Sequence, residues 1–247
     1  MRNLKITLEY DGTNYCGWQI QRRNRRKVSI QGTVEKTLRK ILQEKIHLIA
    51  SGRTDAGVHA RAQVANFKTS SVIPLDKLQY ALNGLLPNDI SITGIREARS
   101  DFHSRFDAKS KAYRYTILNR RQPSAFLRTA AYFYPYPLDI KLMRDEAGVL
   151  LGRHDFRSFK ASDEIERNSI RTIKKIRIAK DKDLISIDIE ADGFLYNMAR
   201  AIAGTLLEIG RGRFHKGSLK KILKSCNRGL AGPTLPAYGL CLLKVKY

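Results

Sequence analysis

Ser51-Gly52-Arg53-Thr54-Asp55-Ala56-Gly57-Val58-His59-Ala60 joins two segments that read as strands. An apolar run, Ile46 to Ala50, precedes it. Val58 to Phe67 follows, with Val58, Ala60, Ala62 and Val64 alternating against His59, Arg61 and Gln63. A period of two puts the small apolar residues on one face and the polar ones on the other. The connecting turn carries an Arg and an Asp two positions apart, bracketed by glycines. Gly52 and Gly57 permit backbone angles that other residues avoid, and they leave room beside Asp55. Such a turn has two readings: an Asp that bonds its own backbone, or an Asp held out for chemistry.

Upstream of the turn, Leu4, Ile6, Leu8 and Tyr10 alternate with Lys5, Thr7 and Glu9 in a half-buried strand, and Asp11 to Tyr15 is a turn. Ser29 is the N-cap of a helix whose apolar residues are Ile30, Val34, Leu38, Ile41 and Leu42. Downstream, Pro74-Leu75-Asp76 opens a helix with Leu75, Leu78, Leu82 and Leu85 in register, and Pro87-Asn88 stops it. Ile90 to Ile95 is a short strand. The charged stretch Ser100 to Lys111 marks a boundary, which divides the chain into domains 1–105 and 106–247. In the second, strands are expected at Ala112 to Leu118, around Ile173 to Ile178, at Ile185 to Ile189 and at Tyr238 to Val245. Helices are expected over Asp139 to Leu151, within Gly193 to Gly210 and over Leu219 to Lys224, with a long loop from Gly152 through Ser169. This mixed order with long connections predicts an α+β fold with largely antiparallel sheets.

The 247 residues include 46 Lys and Arg against 23 Asp and Glu, a formal charge of +23. An excess of that size implies a polyanionic partner, nucleic acid before anionic membrane. The densest run is Arg22-Arg23-Asn24-Arg25-Arg26-Lys27, read as an arm that grips phosphates. No apolar stretch approaches the roughly 18 residues that span a bilayer. The N-terminus runs directly into a strand pattern, so no secretory signal is expected. Cys16, Cys226 and Cys241 are scattered and odd in number, which reads as reduced thiols in a cytoplasmic protein.

Few reactions remain open to such a chain. It has no phosphate loop of the Walker type, no GxGxxG in a strand–helix context and no Cys/His spacing for zinc. Neither a metal nor a cofactor is expected. A carboxylate can attack an electron-poor carbon, as in glycosidases. To stay ionised in a closed pocket it needs a nearby cation, because desolvation alone raises its pKa. Arg53 and Arg200 are the candidates. Arg200 sits within an apolar helical segment, where a charge needs a partner, unless it snorkels to the surface. His59 reads as structural or RNA-facing, and Asp11 as a turn residue.

These residues fall into motifs that resemble the tRNA pseudouridine synthase A family over nearly the whole chain. The motifs are Tyr10-Asp11-Gly12-Thr13 with Gly17-Trp18-Gln19, Ser29 to Glu35, the Ser51 to Ala60 stretch, Asp107-Ala108-Lys109 with Tyr113-Arg114-Tyr115, His154-Asp155-Phe156, and Gly193-Phe194 through Met198-Ala199-Arg200. The resemblance implies two α/β domains whose sheets join into one extended sheet, helices packed on one side and a central basic cleft. It implies isomerisation of uridine to pseudouridine at positions 38, 39 and 40 of the tRNA anticodon stem–loop, by a homodimer, without cofactor or metal. Asp55 would be the nucleophile, Tyr113 would stack on the target uracil, Arg200 would pair with Asp55, and Arg53 would help displace the base. Two other functions use the same composition: a non-catalytic RNA-binding protein, and a carboxylate nuclease or N-glycosidase that leaves a cut strand or a free base.

Overall fold

Leu4, Ile6, Leu8 and Tyr10 are buried along one face of the first strand, as their alternation predicts. The computed structural model describes residues 1–21, 28–161 and 168–247, so the expected phosphate-gripping arm of Arg22, Arg23, Arg25, Arg26 and Lys27 lies outside the described residues. The described chain forms two compact units, Met1–Lys109 with Leu242–Tyr247, and Ser110–Cys241. The first runs β1 (Arg2–Tyr10), α1 (Ile30–Leu42), β2 (Ile49–Ala50), β3 (His59–Thr69), α2 (Leu75–Leu85) and β4 (Ile90–Ala98). The second runs β5 (Ser110–Leu118), β6 (Tyr132–Phe133), α3 (Ile140–Ala147), β7 (Gly152–Asp155), β8 (Ile170–Asp181), β9 (Leu184–Ala191), α4 (Met198–Gly210) and α5 (Ser218–Ser225), and β10 (Leu240–Lys246) closes the chain.

In the first unit β1 pairs antiparallel with β3 on one side and β4 on the other, β2 adds to β3, and β10 lies beside β3. Ser29 caps α1 by accepting from the Gly32 N–H, and Ile30, Val34, Leu38 and Leu42 are buried along the helix. The apolar stripe of α2 is narrower than its sequence suggests: Leu78 and Leu82 are buried, but Leu85 is exposed. Of the strand expected from Ile46, only Ile49 and Ala50 pair. Ile46 and Leu48 are buried all the same, and the Leu48 N–H goes to a side chain, donating to Glu35 Oε1 at 2.9 Å. Gln31 Nε2 donates to the same carboxylate at 2.8 Å. The Gln31 and Glu35 of the Ser29–Glu35 motif thus tie α1 to the segment that leads into the Asp55 turn.

On the opposite face of this sheet, polar side chains replace apolar ones. Asn3 Nδ2 donates to the carbonyls of Arg99 and Phe102, Asn66 Nδ2 donates to Asn3 Oδ1, Ser104 N–H donates to Asn66 Oδ1, and the Tyr247 hydroxyl donates to the Ser104 carbonyl. This network folds residues 99–104 over the sheet and brings Phe102 against Lys5. The Lys5 ammonium lies 3.6 Å from the Tyr247 ring centroid and 4.8 Å from that of Phe102, a cation–π arrangement in a side chain that is 6% exposed.

In the second unit the strand order is β5-β9-β8-β7, all antiparallel, and β6 pairs parallel with β5. Helices α3, α4 and α5 pack on one another, α3 against β8 and α4 against β5. The loop expected over 152–169 contains β7 and a 3-10 turn at Arg157–Phe159. Four paired residues are too few to show alternation, and the anchors, Phe156 and Phe159, fall three apart in fully buried positions. The helix expected over Asp139 to Leu151 ends at Ala147 and tightens into a 3-10 turn at Gly148–Leu150. The buried Glu146 carboxylate accepts from the Gly217 and Leu219 N–H groups, satisfying the start of α5.

Replacing Glu35 with Ala strands the Leu48 N–H and removes the shorter bond of the Gln31 amide in a buried setting. The loss is expected to be about 2 kcal/mol, read as a lower denaturant midpoint at unchanged m-value. Burial, and then the Arg96 charge, lower the Lys5 pKa from 10.5 to about 8. The native state thus gives up a proton near pH 8 that the unfolded chain keeps to 10.5, so unfolding takes up protons in that window and stability rises with pH across it. Denaturant melts on either side of the window should show this rise in the wild type and not in Lys5→Met.

Candidate active site

Two backbone segments make the Asp55 turn. The Trp18 N–H donates to the Thr54 carbonyl at 3.0 Å, the Gly57 N–H donates to the Tyr15 carbonyl at 3.3 Å, and the Val58 N–H closes the turn onto the Asp55 carbonyl at 3.1 Å. The Tyr10 and Thr54 hydroxyls share a buried hydrogen bond of 2.8 Å. Asp55 is half-buried between the buried Thr54 and the exposed Ala56, and Arg53 is exposed. Residues 10–18 therefore act as a mould for the turn.

That close approach explains the glycines of the first motif. A Cβ on Gly12 would meet the Val58 carbonyl oxygen at 2.1 Å, and one on Gly17 would meet the Thr54 carbonyl oxygen at 2.6 Å. Gly17 also has φ +98°, a left-handed conformation that favours glycine. Of the two glycines in the turn, Gly57 takes φ 77°, as its sequence suggests. Gly52 stays out of the left-handed region, and its carbonyl instead accepts from Gln63 Nε2 at 2.9 Å.

Asp11 is a turn residue: its Oδ1 accepts from the Thr13 N–H and hydroxyl. Burial pushes its pKa up, but the Thr13 hydrogen bonds and His59 outweigh that and hold it below the usual carboxylate value. His59 Nδ1 lies 3.1 Å from both the Gly12 nitrogen and Asp11 Oδ1. A neutral ring accepts there from Gly12 and a protonated ring donates to Asp11, so His59 secures the mould in either state.

In the second unit, Tyr113 is on β5 opposite Ile189 and is buried, with the Phe194 ring edge-on at 4.9 Å. Tyr115, on the same face, is fully buried and donates its hydroxyl to the Pro236 carbonyl at 2.8 Å. Arg200 is the one residue of the 13 in α4 that is not buried. Its Nε donates to the Leu235 carbonyl and its Nη1 to Asn197 Oδ1, each at 2.7 Å. Asn197, at φ 64°, offers α4 no side-chain cap and serves the guanidinium instead. The Gly232 N–H, donating to Thr205 Oγ1, holds the strand of chain that carries Leu235 against α4. Arg200 is thus a partly open cation, aimed by two neutral oxygens.

The Tyr10–Thr54 bond, the Asn197 and Leu235 contacts of Arg200 and the Phe194 support of Tyr113 are not foreseen as such. Of these, Tyr10, Thr54, Phe194 and Asn197 left a sequence signal, by falling inside the motifs, and Leu235 left none. Among the described residues, no group of three or more His, Cys, Asp or Glu could hold a metal ion. No described helix is long and apolar enough to cross a membrane. The chemistry on hand is that of one carboxylate on a rigid turn, with guanidinium groups, in a strongly cationic chain.

Comparison with known proteins matches residues 6–107 and 147–247 to the tRNA pseudouridine synthase family. The chain is 49% identical to the tRNA pseudouridine synthase A of Clostridium acetobutylicum, over 100% of both chains. It is 46% identical to that of Thermoanaerobacter pseudethanolicus and 47% identical to that of Caldicellulosiruptor bescii, again over 100% of each. A solved Cbf5-Nop10-Gar1 complex aligns with 82% of this chain and 54% of that chain at 14% identity and a TM-score of 0.33, too remote to add weight. With its rigid Asp turn and its match along the full length of these relatives, the chain belongs to the tRNA pseudouridine synthase family.

Proposed function

We propose that the protein isomerises uridine to pseudouridine in tRNA, at positions 38, 39 and 40 of the anticodon stem–loop, with Asp55 acting at the ribose. The observation that carries this reading is the moulded turn: two backbone segments and a buried hydroxyl pair fix the peptide units on either side of one carboxylate. That is preorganisation of the kind a nucleophile or base requires.

The reaction moves no electrons to or from an outside carrier. The N1–C1′ bond breaks, the uracil turns, C5 bonds to C1′, and the proton on C5 passes in net terms to N1. The Asp55 carboxylate assists at the sugar either by attack at C1′ or by removal of the C2′ proton, and both roles need it ionised. Arg200 supplies the cation that keeps it so. The uridine must first leave the stack, at a cost of a few kcal/mol. Tyr113, steadied by Phe194, stacks on the extruded uracil, and Arg53 helps displace it. Arg22, Arg23, Arg25, Arg26 and Lys27 add phosphate contacts to the surplus of positive charge. The protein works as a homodimer in the cytoplasm, where its three free cysteines stay reduced.

Pseudouridine mapping on an unmodified tRNA transcript, without added metal, tests the activity directly. Asp55→Asn removes charge with little change in volume, so turnover should fall by at least about a thousandfold while tRNA affinity changes little; retained turnover would remove Asp55 from the chemistry. Tyr113→Phe should keep the stacking face and most of the activity, whereas Tyr113→Ala should lose about 1–3 kcal/mol of stacking, seen in the KM for tRNA; equal behaviour of the two would refute the stacking role.

A further inference from the structure

The first unit has a depression of about 510 Å³ on the sheet face that carries Lys5, lined by Lys5, Thr7, Val64, Arg96 and Tyr247 among others, with no Asp or Glu side chain in the lining. Lys5 and Arg96 are directly opposite each other on β1 and β4. Like charges placed opposite across a strand pair repel, and a protein has no structural reason to bury one of them. Yet Lys5 is 6% exposed, and its ammonium meets only the Tyr247 and Phe102 rings. Among the described residues, no hydrogen bond or ion pair to Lys5 accompanies those ring contacts.

The nearby acids are engaged elsewhere. Glu97, next to Arg96, accepts from Arg2 Nε at 2.7 Å. Asp107, whose charge reaches the Tyr247 hydroxyl, accepts from the His103 N–H. Arg96 itself is exposed on β4, the last strand on that side of the sheet order. What the depression lacks is an acidic side chain to answer Lys5 and Arg96.

We propose that Lys5 and Arg96 form a binding site for a backbone phosphate of the RNA substrate, apart from the Asp55 turn. Lys5 supplies a preoriented ammonium whose desolvation cost is already met by the fold, and Arg96 supplies a solvent-facing fork that closes on the phosphate oxygens. Lys5 is five residues along β1 from Tyr10, about 17 Å in an extended strand. The phosphate held there belongs to a nucleotide other than the one at the turn. This site rests on the reading of RNA as substrate, but not on the role of Asp55.

The test uses the full chain with Lys5→Met, which keeps the length of the side chain and removes its charge, and with Arg96→Gln, an exposed change that does not threaten folding. Binding of an unmodified tRNA transcript is measured across a range of salt. Each variant should bind several-fold more weakly at fixed salt, and its salt dependence should flatten by about 0.7–0.9 in slope, the contribution of one phosphate contact. Lys5→Met should melt no lower than the wild type, since it removes a buried charge; a lower melting temperature with unchanged slope would make Lys5 purely structural and overturn the proposal. Inorganic phosphate, added alone, separates the sources: if it raises the wild-type melting temperature but not that of Lys5→Met, while tRNA slopes stay equal, the site takes free phosphate and the RNA assignment fails. Pseudouridine formation by the wild type is followed on the same transcript. Modification with unchanged slopes defeats this site alone, whereas flattened slopes without modification support it and defeat the proposed activity.

Discussion

The approach of two backbones at the Thr54 carbonyl is the constraint on which the first unit's chemistry depends. The Trp18 N–H reaches that oxygen only because Gly17 presents no Cβ to it. Earlier in the same segment, Gly12 admits the Val58 strand entry at a distance no side chain would allow. Between these points the Tyr10 and Thr54 hydroxyls satisfy each other out of water. A carboxylate on an ordinary exposed turn samples many positions, whereas one on a turn clamped at three backbone points loses most of that freedom before substrate arrives.

The same economy shapes the second unit. Arg200 stands on a helix that is otherwise wholly packed, and the Leu235 carbonyl and Asn197 Oδ1 orient its guanidinium. About two turns further along the same helix, the buried Glu208 carboxylate lies 3.3 Å from Arg211 and 3.2 Å from Arg213.

Much of this was legible in the sequence, because hydrophobic period reports burial directly. Alternation marked β1, β3 and β9, and the Ser29 cap and the stripe behind it marked α1. The mixed, largely antiparallel architecture followed from the order of these elements. Where signals were short or carried by single side chains, the reading failed. The four-residue β7 shows no period, and the Ile46–Ala50 run looked like strand because burial without pairing has the same composition. Gly52 and Gly57 looked equivalent, yet only Gly57 adopts the left-handed angle, since a glycine's sequence does not say whether torsion or close approach requires it. The positions of Asp55, Arg53, Tyr113 and Arg200 came from motif resemblance. Among their supports, Leu235 acts through its carbonyl, a contact that any residue pattern would leave invisible.

A helix with a single solvent-facing position is indexed like a toothed wheel. Advancing α4 by one residue turns it by about 100°. That would drive the Arg200 guanidinium into apolar packing and leave an alanine, Ala199 or Ala201, in its place, so neighbouring settings are closed to it. The azimuth of the cation is therefore set by the whole of the second unit's interior, and what remains adjustable is only the torsion of one side chain.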